Sequence, residues 1–127
     1  MSQRKRRILV VDDDSDVALT LKIMLEAYGL DAECFTDPEA ALQSFENESY
    51  DLVILDIKMP KMNGFQLYAQ MKRSDDTIKA LFLTALNELH GYDDFKTKVF
   101  PKSGERHFIQ KPINGMGLYE QIESMLD

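Results

Sequence analysis

Leu52-Val53-Ile54-Leu55 is an unbroken apolar run that ends on Asp56, and it limits the fold more than any other feature of the chain. A strand with one wet face alternates apolar and polar residues, so a run without alternation is buried on both faces. That is the setting of a central strand in a parallel sheet, with helices covering it above and below. Ile8-Leu9-Val10-Val11 has the same character and runs into Asp12, Asp13 and Asp14. Carboxylates therefore stand where both buried strands end.

The rest of the chain supplies the helices that such a sheet needs. Val17, Leu21, Met24, Leu25 and Tyr28 recur at helical spacing, and Gly29 supplies a stop. Ala32 to Phe35 reads as a short second strand. Asp37-Pro38 reads as an N-cap with proline in the first turn, opening a helix with Ala41, Leu42 and Phe45 inward. After the third strand and a loop, Gly64 to about Lys72 reads as helix and Ala80 to Leu83 as the fourth strand. Phe108-Ile109 is a short fifth strand. Asn114 caps a last helix with Leu118, Ile122, Met125 and Leu126 on one face. Between Leu86 and Arg106, the spacing of Leu89, Tyr92, Phe95 and Val99 suggests a further helix, cut short by Gly91 and Pro101. Five strand-then-helix units in one domain, residues 1–127, imply an open α/β parallel sheet with helices on both sides.

Composition removes several function classes. No apolar stretch approaches the ~18 residues needed to cross a membrane. The basic start Arg4-Lys5-Arg6-Arg7 is followed by too short an apolar run for a signal peptide, and it reads as a solvated tail. Cys34 is the single cysteine, so no internal disulfide forms; it is expected to be a buried structural thiol in a reducing, cytoplasmic compartment. A net charge of -7 argues against direct binding of nucleic acid. His90 and His107 have no metal-like spacing and read as ordinary surface or loop residues.

The chemistry concentrates at strand ends. In an open parallel sheet, ligands bind beyond the carboxyl ends of the strands, where the connection order reverses. If the first and third strands are neighbours, Asp12, Asp13 and Asp56 converge there. Clustered carboxylates repel one another and demand a cation, and oxygen-only ligands with room for water suit Mg2+ better than zinc. A carboxylate beside a divalent ion can also act as a nucleophile toward phosphorus. Thr84 closes Leu81-Phe82-Leu83 and Lys111 follows Phe108-Ile109-Gln110, so a hydroxyl and a cation stand ready for phosphoryl oxygens. Asp14 reads as the cap of the first helix.

Four motifs, in order, carry a resemblance: Ile8-Leu9-Val10-Val11-Asp12-Asp13, then Asp56-Ile57-Lys58-Met59-Pro60 with Gly64, then Thr84-Ala85, then Lys111-Pro112. In these residues and along nearly its whole length, the sequence resembles the receiver domain of two-component response regulators. The resemblance implies a flavodoxin-like doubly wound (βα)5 fold with a five-stranded parallel sheet in the order 2-1-3-4-5. It implies that Asp56 takes a phosphoryl group from a sensor histidine kinase or phosphotransfer protein, and that the chain catalyses only its own phosphorylation and dephosphorylation. Asp13 and Asp56 would bind Mg2+ directly, with the backbone carbonyl of Lys58 as a further ligand and Asp12 acting mostly through water. Lys111 would pair with phosphoryl oxygens. Thr84 would move to hydrogen-bond them while Phe108 turns inward, and the Lys111-Pro112 peptide would be cis. The listener would be a downstream effector protein or domain, and the family admits a homodimer through the fourth helix, fifth strand and fifth helix.

The chain also departs from the pattern. Lys111 follows Thr84 by 27 positions, longer than in typical receivers, with Pro101 to His107 in place of a Gly-Ala pair. Residues 86–107 therefore put the output face in doubt. Phe108 fills an aromatic position without offering a hydroxyl. The long side chains of Lys58 and Leu86 are expected to hinder the hydrolytic water. Two other functions compete: a receiver-shaped binding module that is never phosphorylated, and a Mg2+-dependent aspartyl phosphohydrolase using Asp12 with Asp14. The first usually lacks one of the acids, the threonine or the lysine, all present here. The second leaves Asp56 and Lys111-Pro112 unexplained.

Overall fold

The computed structural model describes residues 5–84 and 108–126. Five strands, β1 (Arg7–Val11), β2 (Asp31–Phe35), β3 (Leu52–Asp56), β4 (Lys79–Thr84) and β5 (Phe108–Gln110), form one parallel sheet in the order β2-β1-β3-β4-β5. The described helices are α1 (Ser15–Ala27), α2 (Pro38–Asn47), α3 (Gly64–Ser74) and α4 (Gly115–Leu126). The helix expected around Leu89 to Val99, which is one of the three elements of the expected dimer face, lies outside the described residues, as do Leu86, His90 and the Pro101–His107 stretch.

The period-two alternation of the strands sorts their side chains into two layers. Leu9, Val11, Val53, Leu55, Ala80, Phe82 and Phe108 meet Ala41 and Phe45 of α2 and Phe65, Leu67 and Met71 of α3. On the other face Ile8, Val10, Leu52, Ile54, Leu81 and Leu83 meet Leu21 and Leu25 of α1 and Leu118, Ile122 and Met125 of α4. Crossovers in parallel sheets are right-handed. The chain moves outward from β1 to β2 and then back past β1 to β3, so α1 and α2 fall on opposite faces. The reversal opens a crevice at the ends of β1 and β3, where the register pairs Val11 with Leu55.

Local signals close each helix. Asp14 caps α1, Asp37 caps α2 with Pro38 in the first turn, and Asn63 and Gln66 form a reciprocal capping box on α3. The Asn114 Oδ1 accepts from the Gly117 N–H at 3.0 Å at the start of α4. Gly29 takes φ +85 at the end of α1, a left-handed turn that glycine enters without strain.

Arg7 and Cys34 sit differently from what the sequence leads one to expect. Arg7 is not part of a solvated tail: it starts β1, and its side chain is only 20% exposed. Its guanidinium pairs with Asp31 at 3.2 Å and Glu48 at 3.1 Å and lies over the Tyr50 ring at 4.7 Å. Arginine buries its stem while its planar head serves several partners at once. Arg7→Ala is expected to cost about 1 kcal/mol in urea unfolding, with Arg7→Lys recovering only part. Cys34 is half-buried rather than buried, because it packs at the margin of the core on the edge strand β2. Tyr28, at the end of the helical spacing, is 39% exposed and stacks on Tyr119 of α4 at 4.7 Å.

Candidate functional site

Parallel pairing delivers the site residues to one rim. The Asp12 N–H donates to the Phe35 carbonyl at 3.1 Å, which extends the β1–β2 ladder past the end of β1. Asp56 is the last residue of β3 and lies opposite Leu83 of β4, and the Lys111 N–H donates to the Thr84 carbonyl at 2.8 Å. The backbones of Asp12, Asp56, Thr84 and Lys111 are therefore held by the sheet. Asp12 is 0% exposed, Asp56 6% and Thr84 1%, while Asp13 is exposed.

The Lys111 ammonium reaches both buried acids, at 3.3 Å from Oδ1 of Asp56 and 3.2 Å from Oδ2 of Asp12. The first contact is a hydrogen bond. The second is an ion pair without hydrogen-bond geometry, which leaves Oδ2 of Asp12 buried and unbonded. The Lys111 ammonium partly offsets the cost of burying that oxygen, and a further cation or bound water would complete its partners. One carboxylate oxygen from each of Asp12, Asp13 and Asp56 lies within 4.8 Å of the others. This is an all-oxygen donor set that fits a hard divalent ion such as Mg2+.

Burial first, and then the charge of Asp12, pushes the Asp56 carboxyl up from 3.8 to about 7; a hydrogen bond with Asp13 adds to the rise and Lys111 opposes it. For Lys111, burial lowers the ammonium, but the charges of Asp56 and Asp12 outweigh it and the net movement is upward. Four ionisable groups thus share one rim in a balance that a bound cation would alter.

The loop after Asp56 is tightly built. The Gly64 N–H donates to the Ile57 carbonyl at 2.9 Å, and Lys61 takes φ 71 within the turn. A Cβ at Gly64 would collide with the carbonyl oxygen of Asp56, so α3 approaches the end of β3 at a distance only glycine permits. Met59 and Met62 pack half-buried against the core, and the Lys58 side chain is exposed. Phe108 is buried, with its ring 5.5 Å from Phe82 and 6.3 Å from Phe65. The Lys111-Pro112 peptide is cis.

A family model described as the response regulator receiver domain matches residues 8–123. The chain belongs to that family. This receiver domain is 35% identical over 126 residues to the transcriptional regulatory protein RprY of Bacteroides fragilis (strain YCH46), covering 96% of this chain and 50% of that one. Among solved structures it is similar to the CheY-like receiver domain protein of Methanospirillum hungatei JF-1, at 31% identity and a TM-score of 0.79, covering 98% of this chain and 95% of that one. A receiver domain from Clostridium thermocellum superposes with a TM-score of 0.81 at 26% identity, covering 95% of this chain and 94% of that one. The receiver domain spans about half the length of the curated relatives it matches. Among its described residues, no helix is long and apolar enough to cross a membrane.

Two features of the receiver domain's surface are not legible in the one-dimensional pattern. A cleft of roughly 270 Å3 beside Lys111 runs between α1 and the start of α4, lined by Asp16, Val17, Thr20, Met24, Pro112 and Ile113. On the outer surfaces of α1 and α4, Leu19, Ile23 and Met116 are 51%, 58% and 61% exposed. The i, i+4 spacing of Leu19 and Ile23 puts them on one helical stripe, but only the packed structure reveals that the stripe faces outward.

Proposed function

We propose that Asp56 is the phosphoacceptor of this two-component receiver domain, loaded from a phosphohistidine on a sensor histidine kinase or phosphotransfer protein. The observation that carries the reading is the setting of Asp56, a nearly buried carboxylate 3.3 Å from the Lys111 ammonium with Asp12 and Asp13 beside it. An Asp56 oxygen forms the bond to phosphorus as the bond from phosphorus to the donor nitrogen breaks, and imidazole leaves. Asp56 reacts in its ionised form, which the charge of Lys111 favours.

Asp13 and Asp56 would hold Mg2+ directly in this reading, with the Lys58 carbonyl as a further ligand and Asp12 acting mostly through water. Bound Mg2+ offsets the charge of the phosphoryl oxygens. Lys111 pairs with one phosphoryl oxygen and the Thr84 hydroxyl donates to another. The movement of Thr84 couples to Phe108, whose ring already has apolar partners in Phe65 and Phe82. A shift from mostly off to mostly on needs about 5 kcal/mol of differential stabilisation, within reach of one doubly charged group with these partners. The exposed Leu19 and Ile23 of α1 and Met116 of α4 offer apolar surface for docking of a donor protein. The output passes to a downstream effector protein or domain.

Incubation with Mg2+ and acetyl phosphate, followed by intact-mass measurement, tests the reading. One phosphoryl adduct is expected, absent without Mg2+ and absent in Asp56→Asn. An adduct that survives in Asp56→Asn would place the phosphoacceptor elsewhere.

A further inference from the structure

Asp14 is exposed and stands outside the acid cluster, yet its hydrogen bonds meet at Asp12. Its side-chain Oδ1 accepts from the N–H of Asp16 at 3.0 Å and of Val17 at 3.4 Å, capping α1. Its carbonyl accepts the first helical bond, from the Ala18 N–H at 3.0 Å. Its own N–H, turned the other way by the extended cap conformation, donates to Oδ1 of Asp12 at 2.9 Å. The turn is thus clamped from both ends, by the sheet through the Asp12 N–H and by the helix through Asp14. With Oδ1 of Asp12 engaged, Oδ2 is left buried, without a hydrogen bond and 3.2 Å from the Lys111 ammonium. That buried oxygen, facing an ammonium without hydrogen-bond geometry, has coordination to spare for a bound cation or a cation-bound water.

We infer that Asp14 is a positioning residue for Mg2+ binding: its cap holds the turn that aims the Asp12 carboxylate at the metal. The inference rests on the reading that Asp12, Asp13 and Asp56 hold Mg2+. Asp14 acts through Asp12 and makes no contact with the ion. Loss of the cap frees the first turn of α1 and with it the N–H that orients Asp12. Asparagine caps as well as aspartate does, whereas glutamate keeps the charge on a side chain that caps poorly. The two variants therefore separate position from charge.

Calorimetric titration with MgCl2 alone, at pH 8, compares the wild type with Asp14→Ala, Asp14→Asn, Asp14→Glu and Asp75→Ala. Asp75 is the remote control. Its Oδ1 accepts from the N–H and hydroxyl of Thr77 at the opposite end of the sheet, so its loss weakens the fold without touching the site. Binding is expected to weaken about fivefold in Asp14→Ala and Asp14→Glu, the effect of losing a cap of ordinary strength. It should stay near the wild-type value in Asp14→Asn and Asp75→Ala. If Asp14→Ala does not fold, the Asn and Glu variants carry the comparison. Equal affinity in Asp14→Glu and wild type overturns the inference, since the charge without the cap would then suffice; Asp14→Asn binding as weakly as Asp14→Glu overturns it too, since a retained cap would then not preserve binding. A wild-type domain that takes up no Mg2+ instead overturns the metal site on which the inference rests.

Discussion

Replacing Asp56 with Asn is expected to stabilise the metal-free domain at pH 8 while removing its capacity to take a phosphoryl group. The Asp56 carboxyl sits near 7 in the folded chain against an ordinary 3.8, chiefly through burial and then the charge of Asp12. Between those values the folded chain holds a proton that the unfolded chain has released, so stability falls as pH rises through the window. Above it the penalty is fully present, on the order of 2–4 kcal/mol. Lys111 adds no slope in this range. Its raised pKa makes its contribution complete below 10.5 and lost only as pH rises beyond. Urea unfolding in the presence of a chelator reads the effect, and the advantage of Asn should widen from pH 5 to pH 8. A constant gap would show that Asp56 is ionised throughout. Saturating Mg2+ should reverse the order of the two proteins, because the ion binds the ionised acids of the folded wild type and not its unfolded chain.

Gly64→Ala should be the most damaging single methyl group near the site. The added Cβ would strike the Asp56 carbonyl oxygen and lie 3.1 Å from its carbonyl carbon and 3.2 Å from Cα of Ile57. Neither side yields easily. β3 is paired on both edges, and α3 is held by its capping box and by Phe65, Leu67 and Met71 in the core. A loss of about 2–3 kcal/mol in unfolding free energy is expected, typical of overpacking against a rigid wall. Any relief by movement of β3 displaces Asp56 itself, and a misplacement of about 1 Å can slow a reaction ~10²-fold. The phosphoryl adduct should therefore form far more slowly with acetyl phosphate. An unchanged urea midpoint together with an unchanged rate would show that the loop absorbs the methyl group without moving Asp56.

The legible part of this protein lay in signals that are local. A short unbroken apolar run such as Leu52–Leu55, β-branched at its centre and bounded by polar residues, reads as a strand buried on both faces, and Asp14, Asp37 and Asn114 announce helix starts through a side chain and the few residues that follow. Cap signals act over one turn, so they survive without knowledge of the fold. Helix and strand ends moved by a residue or two: β2 begins at Asp31, β5 extends to Gln110 and α3 reaches Ser74. The contacts of Arg7 and Tyr28 escape the one-dimensional pattern for one reason, that their partners Asp31, Glu48, Tyr50 and Tyr119 lie far away along the chain and near in space.

By itself the sequence determined that acids, a hydroxyl and an amine close successive strands, because side-chain type and strand ends are both written residue by residue. The tertiary structure alone decided how those groups face one another. It left Oδ2 of Asp12 without a hydrogen bond, put Lys111 between Asp12 and Asp56, and brought the backbone of α3 against Asp56 at Gly64. These relations depend on the register of neighbouring parallel strands and on the faces their helices cover, and both are set by packing across the whole sheet rather than by any one segment.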